Sequence, residues 1–402
     1  MDLTVERRDL RDAVRRLLAK TVTAEALPDA AGLGSGTAGR PPWRRLCDEI
    51  GVAGLAIPER YGGAGAGLSE VGVVMEELGR GLTPAPMLGS AVLAAQAVLA
   101  SGDEAACQRL LPAIADGSVL AALAWTTPAG HWDTAEVGYA AHPARGGRAA
   151  DGGAGGGGAE GGWVLDGEAH YVLDGDRADV LLAAARTPDG GTGLFEIDPG
   201  QESVARAAVT TMDAARGLAV VRLAGALGRR VGGEAAGPLA FARDQACVAL
   251  SAEQVGAAQR ALELTVSHLL TRVQFGQLIG GFQALQHRAA DLYVLVESAR
   301  SLSRAVALAA DEADELNGVN GVNGVNEIAE VSERGMLAAA AKVYCSQALT
   351  QVASEMIQLH GAIGVTWEHR AHRYLKRAHG GRYLFGSPSR HLAAIAAGLI
   401  DG

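Results

Sequence analysis

Apolar residues recur at spacings of three and four through the first 120 residues or so, the signature of helices with one buried face. "RDLRDAVRRLLAK", "PPWRRLCDEIGVAGLAI", "LSEVGVVMEELGRGL" and "EAACQRLLPAIADG" each carry that pattern, and Pro41-Pro42 and "YGGAGAG" separate them. From about residue 120 to 233 the period shortens. "WVLDGEAHYVLDGDRADVLLAAART" sets two Asp-Gly pairs between short apolar runs, a hairpin signal, and "TGLFEID", "SVARAAV" and "LAVVRLAGA" continue as short strands. From residue 234 the helical period returns in longer pieces. In "SQALTQVASEMIQLHG", Leu349, Val352, Met356 and Leu359 form one stripe that Gly361 closes as a C-cap.

The pattern predicts an α+β chain in three parts: an N-terminal helical domain over 1–120, a small β domain over 121–233, and a C-terminal helical domain over 234–402. Two segments fall outside it. "RGGRAADGGAGGGGAEGG" (145–162) reads as a mobile loop inside the β domain, and "NGVNGVNGVNE" (317–327) as an expanded loop between helices.

Composition narrows the partners. Of 402 residues 49% are hydrophobic and 20% charged, enough apolar material for a large core. The net charge of −10, with no basic block, argues against nucleic acid. No apolar run approaches the roughly 20 residues that span a bilayer, and "MDLTVERRDLRDAVRRLLAK" lacks the apolar centre of a secretory signal. Cys47, Cys107, Cys247 and Cys345 lie far apart without metal or disulfide spacing. A cytoplasmic, metal-free protein is the expectation.

Motifs for common chemistries are absent. No GxGxxG opens a helix after a strand, and no HExxH, Ser-His-Asp signature or EF-hand loop occurs. His268, His287, His360, His369 and His372 make no ligand spacing and read as packing or surface residues. Two C-terminal fragments combine more telling features. "TRVQFGQLIGGFQALQHRAADLY" joins Arg272, Gln274 and Phe275 to a glycine turn and a helix containing Gln283; further on comes "QLHGAIGVTWEHRAHRYLKRA". Each alone serves as helix punctuation. Together, behind a helical and then a β segment, they are specific.

The chain resembles the acyl-CoA dehydrogenase family over almost its whole length. "GVAGLAIPERYGGAGAGLSEVGVVMEELGR" is similar to that family's first helical domain, "ALAWTTPAGHWD" and the Asp-Gly segment to its β domain, and the two C-terminal fragments to its helical bundle. The resemblance implies a small barrel-like or sandwich β domain and a C-terminal four-helix bundle with FAD between them, an acyl-CoA or acyl-carrier substrate, an electron-accepting flavoprotein, and a homo- or hetero-oligomer, dimer or tetramer. It implies α,β-desaturation: a Glu removes a proton beside the thioester carbonyl while the flavin takes a hydride.

Carried across residue by residue, Arg272, Gln274 and Phe275 match a segment touching the FAD of a neighbouring subunit, where a guanidinium offers phosphate oxygens a planar fork. Gln358 and Gly361 match a second FAD-contacting segment. Thr126 matches a flavin-side position of the β domain, and Tyr171 stands where an aromatic packs near the isoalloxazine. Departures from the pattern are as informative. His131 and Trp132 replace a small residue and a Ser, and Leu173 replaces a hydroxyl residue. In "RYLFGSPSRH", where Ser387 caps and Pro388 starts a helix, Phe385-Gly386-Ser387 stands on the family's Glu-Gly-Thr. A phenyl ring accepts no proton. The alternative place for the base falls near Ala246, equally unfit, leaving Asp244 as a relocated base, Glu253 as a residue spaced for a structural role, and His131 as a weaker candidate. Three readings follow: an FAD-dependent dehydrogenase with a displaced base, a non-catalytic partner subunit of a heteromeric dehydrogenase, or another flavin oxidation on the same fold.

Overall fold

The computed structural model describes residues 3–21, 40–132, 134, 136–144, 162–316 and 333–401. The glycine tract over 145–161, the tandem repeat over 317–327 and Asp133 of the β-domain motif lie outside the described residues. The first part holds α1 (Val5–Thr21), α2 (Arg40–Ile50), α3 (Leu68–Gly81), a π-helical stretch (Met87–Ala94) running into α4 (Ala95–Ala100), and α5 (Glu104–Ala115). Seven strands follow: β1 (Ala121–Ala124), β2 (Tyr139–Pro143), β3 (Trp163–Leu173), β4 (Val180–Arg186), β5 (Thr192–Ile197), β6 (Val204–Ala208) and β7 (Leu218–Val231). The last part is α6 (Ala236–Leu269), a two-residue pair β8 (Val273–Gln274) and β9 (Gln277–Leu278), α7 (Gln283–Leu316), α8 (Glu333–His360), α9 (Ala371–Tyr383) and α10 (Pro388–Asp401).

The strands close on themselves in the order β4-β2-β3-β7-β5, with β5 returning to β4; β1 adds beside β4 and β6 beside β7. Closure removes the exposed edges an open sheet would present. Leu165, Leu181, Phe195, Val221 and Leu223 fill the interior.

The Asp-Gly pairs do not make the hairpins that their sequence suggests. Asp166-Gly167 lies inside β3, where the register against β7 shifts between Leu165 and Asp166. Gly167 sits at φ 133° because a Cβ there would come within 2.3 Å of the Gly138 carbonyl on the approach to β2. Asp174-Gly175 does turn the chain, but β3 and β4 then pair with other strands. The local signal reported a tight bend and a close backbone approach; long-range pairing chose the neighbours.

The two helical parts share one core. Val14, Trp43, Val74 and Met75 pack in the same cluster as Leu239, Ala246 and Leu250 of α6 and as Phe385. At the crossing of α3 and α6 the backbones touch: a Cβ on Gly79 would lie 1.9 Å from the Glu253 carbonyl oxygen, and one on Gly256 would lie 1.8 Å from that of Glu76. Only glycine permits that approach. A second cluster joins Leu262 of α6, Leu292 and Val296 of α7, the stripe Leu349, Val352, Met356 and Leu359 of α8, and Tyr374 of α9. Gly361 ends that stripe at φ 65°. No helix among the described residues is long and apolar enough to cross a membrane.

Candidate functional site

The turn between α9 and α10 is the sharpest feature of the C-terminal part. Leu384 is extended, Phe385 takes φ 61° and Gly386 φ 118°. A bulky residue at positive φ is strained and persists only where its surroundings over-determine it. Two groups supply the restraint. The Lys342 ammonium, fully buried in α8, donates to the Gly381 and Arg382 carbonyls and to Ser346 Oγ, each at 3.0 Å. It thereby caps the end of α9, where a cation suits the helix dipole; burial pulls its pKa down to about 8. On the other side His391, held at about 4 chiefly by burial, lies 3.1 Å from where a Cβ on Gly386 would stand. Ser387 Oγ accepts from the Arg390 N–H at 3.4 Å as α10 begins.

Phe385 itself is buried and turned into the core. Its ring meets Trp132 edge-on with centroids 5.1 Å apart, and Trp132 meets Trp125 in the same way at 5.2 Å. The two departures that stand apart in sequence, Trp132 and Phe385, are one contact. Beside them a cleft of about 610 Å³ opens between the β barrel and the start of α10. Trp132, Tyr171, Arg216, Leu384, Gly386 and Ser387 contribute to its wall, and Phe385 does not.

The remaining ionisable groups give the cleft no free carboxylate among the described residues. Asp213 lies in its wall, but its Oδ2 accepts from Arg377 Nε at 2.5 Å and its Oδ1 from the Ala215 N–H at 3.1 Å. Arg377 also donates to Glu253 Oε1 at 2.5 Å, and Arg216 donates to the same oxygen at 2.5 Å. Burial alone would raise the Glu253 carboxyl; the two guanidiniums outweigh it and hold Glu253 below its ordinary range. This four-charge network locks the 211–217 loop to α6 and α9. Glu253 thus takes the structural role its spacing suggests. Asp244 is not in the cleft wall: it pairs with Arg243 at 2.9 Å, and burial raises its pKa. Ala246 is buried, and His131 stands at the rim, 3.5 Å from Glu136.

Sequence reasoning missed Asp213, Arg216, Arg377 and Lys342. A signal existed for Arg377, which falls in the helical stripe Ala371, Tyr374, Ala378 and Gly381, all buried. A charge inside such a stripe demands a buried partner.

The matched cofactor positions divide into two groups. Tyr171, at φ 55° and half-exposed, packs over Gly130 in the cleft wall. Thr126 lies behind it, its hydroxyl committed to the His170 carbonyl, and Leu173 is buried. Arg272, Gln274, Phe275, Gln358 and Gly361 lie instead on the exposed end of the helical bundle, and none of them lines the cleft. Phe275 and Gly276, both at positive φ, form the tight turn of the β8–β9 hairpin, with Phe275 93% exposed. Gln283 opens α7, also exposed.

Comparison with known proteins places this architecture. The model of the acyl-CoA dehydrogenase N-terminal domain matches residues 4–118, and that of the C-terminal domain matches residues 244–400. Acyl-CoA dehydrogenase IpdE2 of Mycobacterium tuberculosis is 36% identical over 393 residues, covering 97% of this chain and 96% of its own. The chain belongs to the acyl-CoA dehydrogenase family. IpdE2 of Mycolicibacterium smegmatis is 34% identical over 98% of this chain and 99% of its own. Among solved structures, a Tcur3481–Tcur3483 steroid ACAD variant superposes with a TM-score of 0.80 at 29% identity, covering 99% of this chain and 98% of that one. The ChsE4–ChsE5 complex from Mycobacterium tuberculosis superposes with a TM-score of 0.83 at 26% identity over the full length of both chains.

Acyl-CoA dehydrogenases are FAD-dependent flavoproteins of lipid metabolism that oxidise CH–CH bonds. The residues present fit FAD. The cleft, of about 610 Å³, is walled in part by the aromatic side chains of Tyr171 and Trp132. The guanidinium and amides matched to the cofactor's far end sit outside it, facing outward.

Proposed function

We propose that this chain is the non-catalytic partner subunit of a heteromeric acyl-CoA dehydrogenase, which desaturates a bulky, steroid-like acyl-CoA or carrier-bound acyl group. One observation carries the reading: Phe385, which the resemblance sets on the family's catalytic Glu, is buried against Trp132 and absent from the cleft wall. With Asp213 tied to Arg377 and Asp244 outside the cleft, the described residues offer no free carboxylate to take the proton beside a thioester carbonyl. The similarity to the Tcur3481–Tcur3483 steroid ACAD and to the ChsE4–ChsE5 complex supports both the pairing and the substrate class.

In this reading the chain works through its outward face. Arg272 gives a two-pronged donor to the pyrophosphate of the FAD held by the catalytic partner. Gln274 and Gln358 donate from the same face, the Phe275 ring stacks beside the adenine, and Gly361 lets the backbone come close. FAD, when bound, supplies the hydride acceptor; the partner's Glu supplies the base, and an electron-accepting flavoprotein regenerates the oxidised cofactor.

The test is to purify the full chain alone and co-expressed with a family member that retains the Glu, then to follow flavin absorbance during addition of a panel of acyl-CoAs, steroid-derived ones included. Flavin bleached by acyl-CoA only in the mixture is the expected result. Bleaching by the lone chain would sink the reading.

A further inference from the structure

Three histidine rings stack at the bundle end. His268, in the last turn of α6, lies 4.4 Å from His360 at an interplanar angle of 23°, and His360 lies 4.4 Å from His369 at 38°. The stack joins three separate segments: α6 just before the β8–β9 hairpin, the last residue of α8, and the loop entering α9. His268 precedes Arg272 by one helical turn, and His360 lies between Gln358 and Gly361. The segments matched to FAD contacts therefore hang on the same three rings.

Hydrogen bonds constrain the protons of two of the rings. A carbonyl only accepts, so His360 Nδ1, 2.7 Å from the Met356 oxygen, carries the proton. Its Nε2 is then a bare lone pair, buried and without a partner among the described residues. His369 Nδ1 accepts from the Ala371 N–H at 3.2 Å, which leaves its hydrogen on Nε2. Both rings are neutral, and a further proton on His360 would sit in a buried place with no acceptor.

Charges facing the stack are other bases. Arg272 from the hairpin segment acts on His268; Arg370 and His372, from the entrance and first turn of α9, act on His369; and each outer ring feels His360. Burial is the first cause for all three rings and lowers their pKa values below 6.5, with neighbouring positive charge adding to the shift for His268 and His369. For a base depressed by folding, the neutral stack is fully favoured above the ordinary histidine pKa. That preference is lost as pH falls below about 6.5, where the loosened form takes up protons that the stacked form refuses.

We propose that His268, His360 and His369 form a proton-operated brace that holds the Arg272 hairpin and the Gln358–Gly361 segment together while neutral and frees them when protonated. It rests on the reading of this end as the partner-facing surface, and it makes association with the FAD-bearing subunit pH-dependent. The three are positioning residues: they act through Arg272 and Gln358, not on the substrate.

Hydrogen–deuterium exchange on the full chain alone, corrected for intrinsic rates, tests the brace without any partner. Between about pH 8 and about pH 5, the range over which histidine titrates, exchange over 268–282 and 358–369 rises several-fold relative to the α3–α6 crossing. In the double variant His268→Phe with His369→Phe, flat rings remain but the outer proton sites are gone, and the rise disappears. An equal rise in the variant, or none in the wild type, overturns the brace. Should the double variant fail to fold, nuclear magnetic resonance titration of the wild-type histidines decides: three depressed values support the brace, and ordinary values overturn it. Failure of the partner-subunit reading registers elsewhere, as acyl-CoA bleaching of flavin on the lone chain.

Discussion

The turn carrying Phe385 and the hairpin carrying Phe275 invite comparison, because each sets a phenylalanine at positive φ beside a glycine, at 61° and 53°. One ring is buried to 1% exposure against tryptophan and the other is 93% exposed. The inner turn is restrained by the Lys342 ammonium and packed shut; the outer one is a two-residue hairpin that ends in solvent. A strained backbone thus serves closure in one place and presentation in the other. On the proposed reading, the turn matched to proton transfer is filled, while the hairpin matched to a neighbour's cofactor remains exposed.

The largest expected effect is on the network that holds the inner side. Replacing Arg377 by Met leaves Asp213 and Glu253 buried without their shared cation, a loss of about 3–5 kcal/mol; urea unfolding followed by circular dichroism should show it as a large fall in midpoint. Phe385→Ala comes next, at roughly 3 kcal/mol or somewhat more for a truncated buried aromatic. Phe385→Glu is the sharper probe of the comparison. It should lower the melting temperature and restore no acyl-CoA bleaching in the lone chain, because the side chain points into the core and not into the cleft. Activity gained by that substitution would mean the inner turn is built for chemistry after all.

Lys342 gives a smaller, pH-dependent effect. Its pKa falls from the ordinary 10.5 to about 8 on burial. Between those values the unfolded chain holds a proton that the folded chain has released, so stability climbs with rising pH and is flat below about 8. Lys342→Met should erase that slope in urea midpoints measured across the window. At the outer end, Arg272→Ala should shift the unfolding midpoint by no more than about 0.5 kcal/mol equivalent, as for other exposed substitutions. The same change should lower flavin retention in the co-purified assembly, measured as FAD per complex. A stability loss comparable to that of Arg377→Met would erase the distinction between the two regions.

Much of this was legible from local pattern. Helical spacing placed α3, α5 and the buried stripe of α8, and Gly361 ended that stripe where a C-cap glycine should. Ser387-Pro388 marked the start of α10. That residue 385 is no proton acceptor needed only the order of residues, since no fold can make a phenyl ring accept a proton. The Asp-Gly pairs misled because a turn-forming dipeptide reports backbone freedom and says nothing of which strands will pair. Asp213, Arg216 and Arg377 escaped notice because charges 164 residues apart, as Asp213 and Arg377 are, become partners only when burial removes water from both.

By itself the sequence determined the element types, the alternation of helical, β and helical parts, and the chemical identity of each candidate group, because those depend on neighbours within a few residues. Tertiary structure decided which way the groups face. It turned Phe385 onto Trp132 instead of into the cleft, bound Asp213 to a guanidinium, drew three distant histidines into one stack and left Arg272 outside. Those outcomes are set by which surfaces share a core and lose their water, and chain order does not record that.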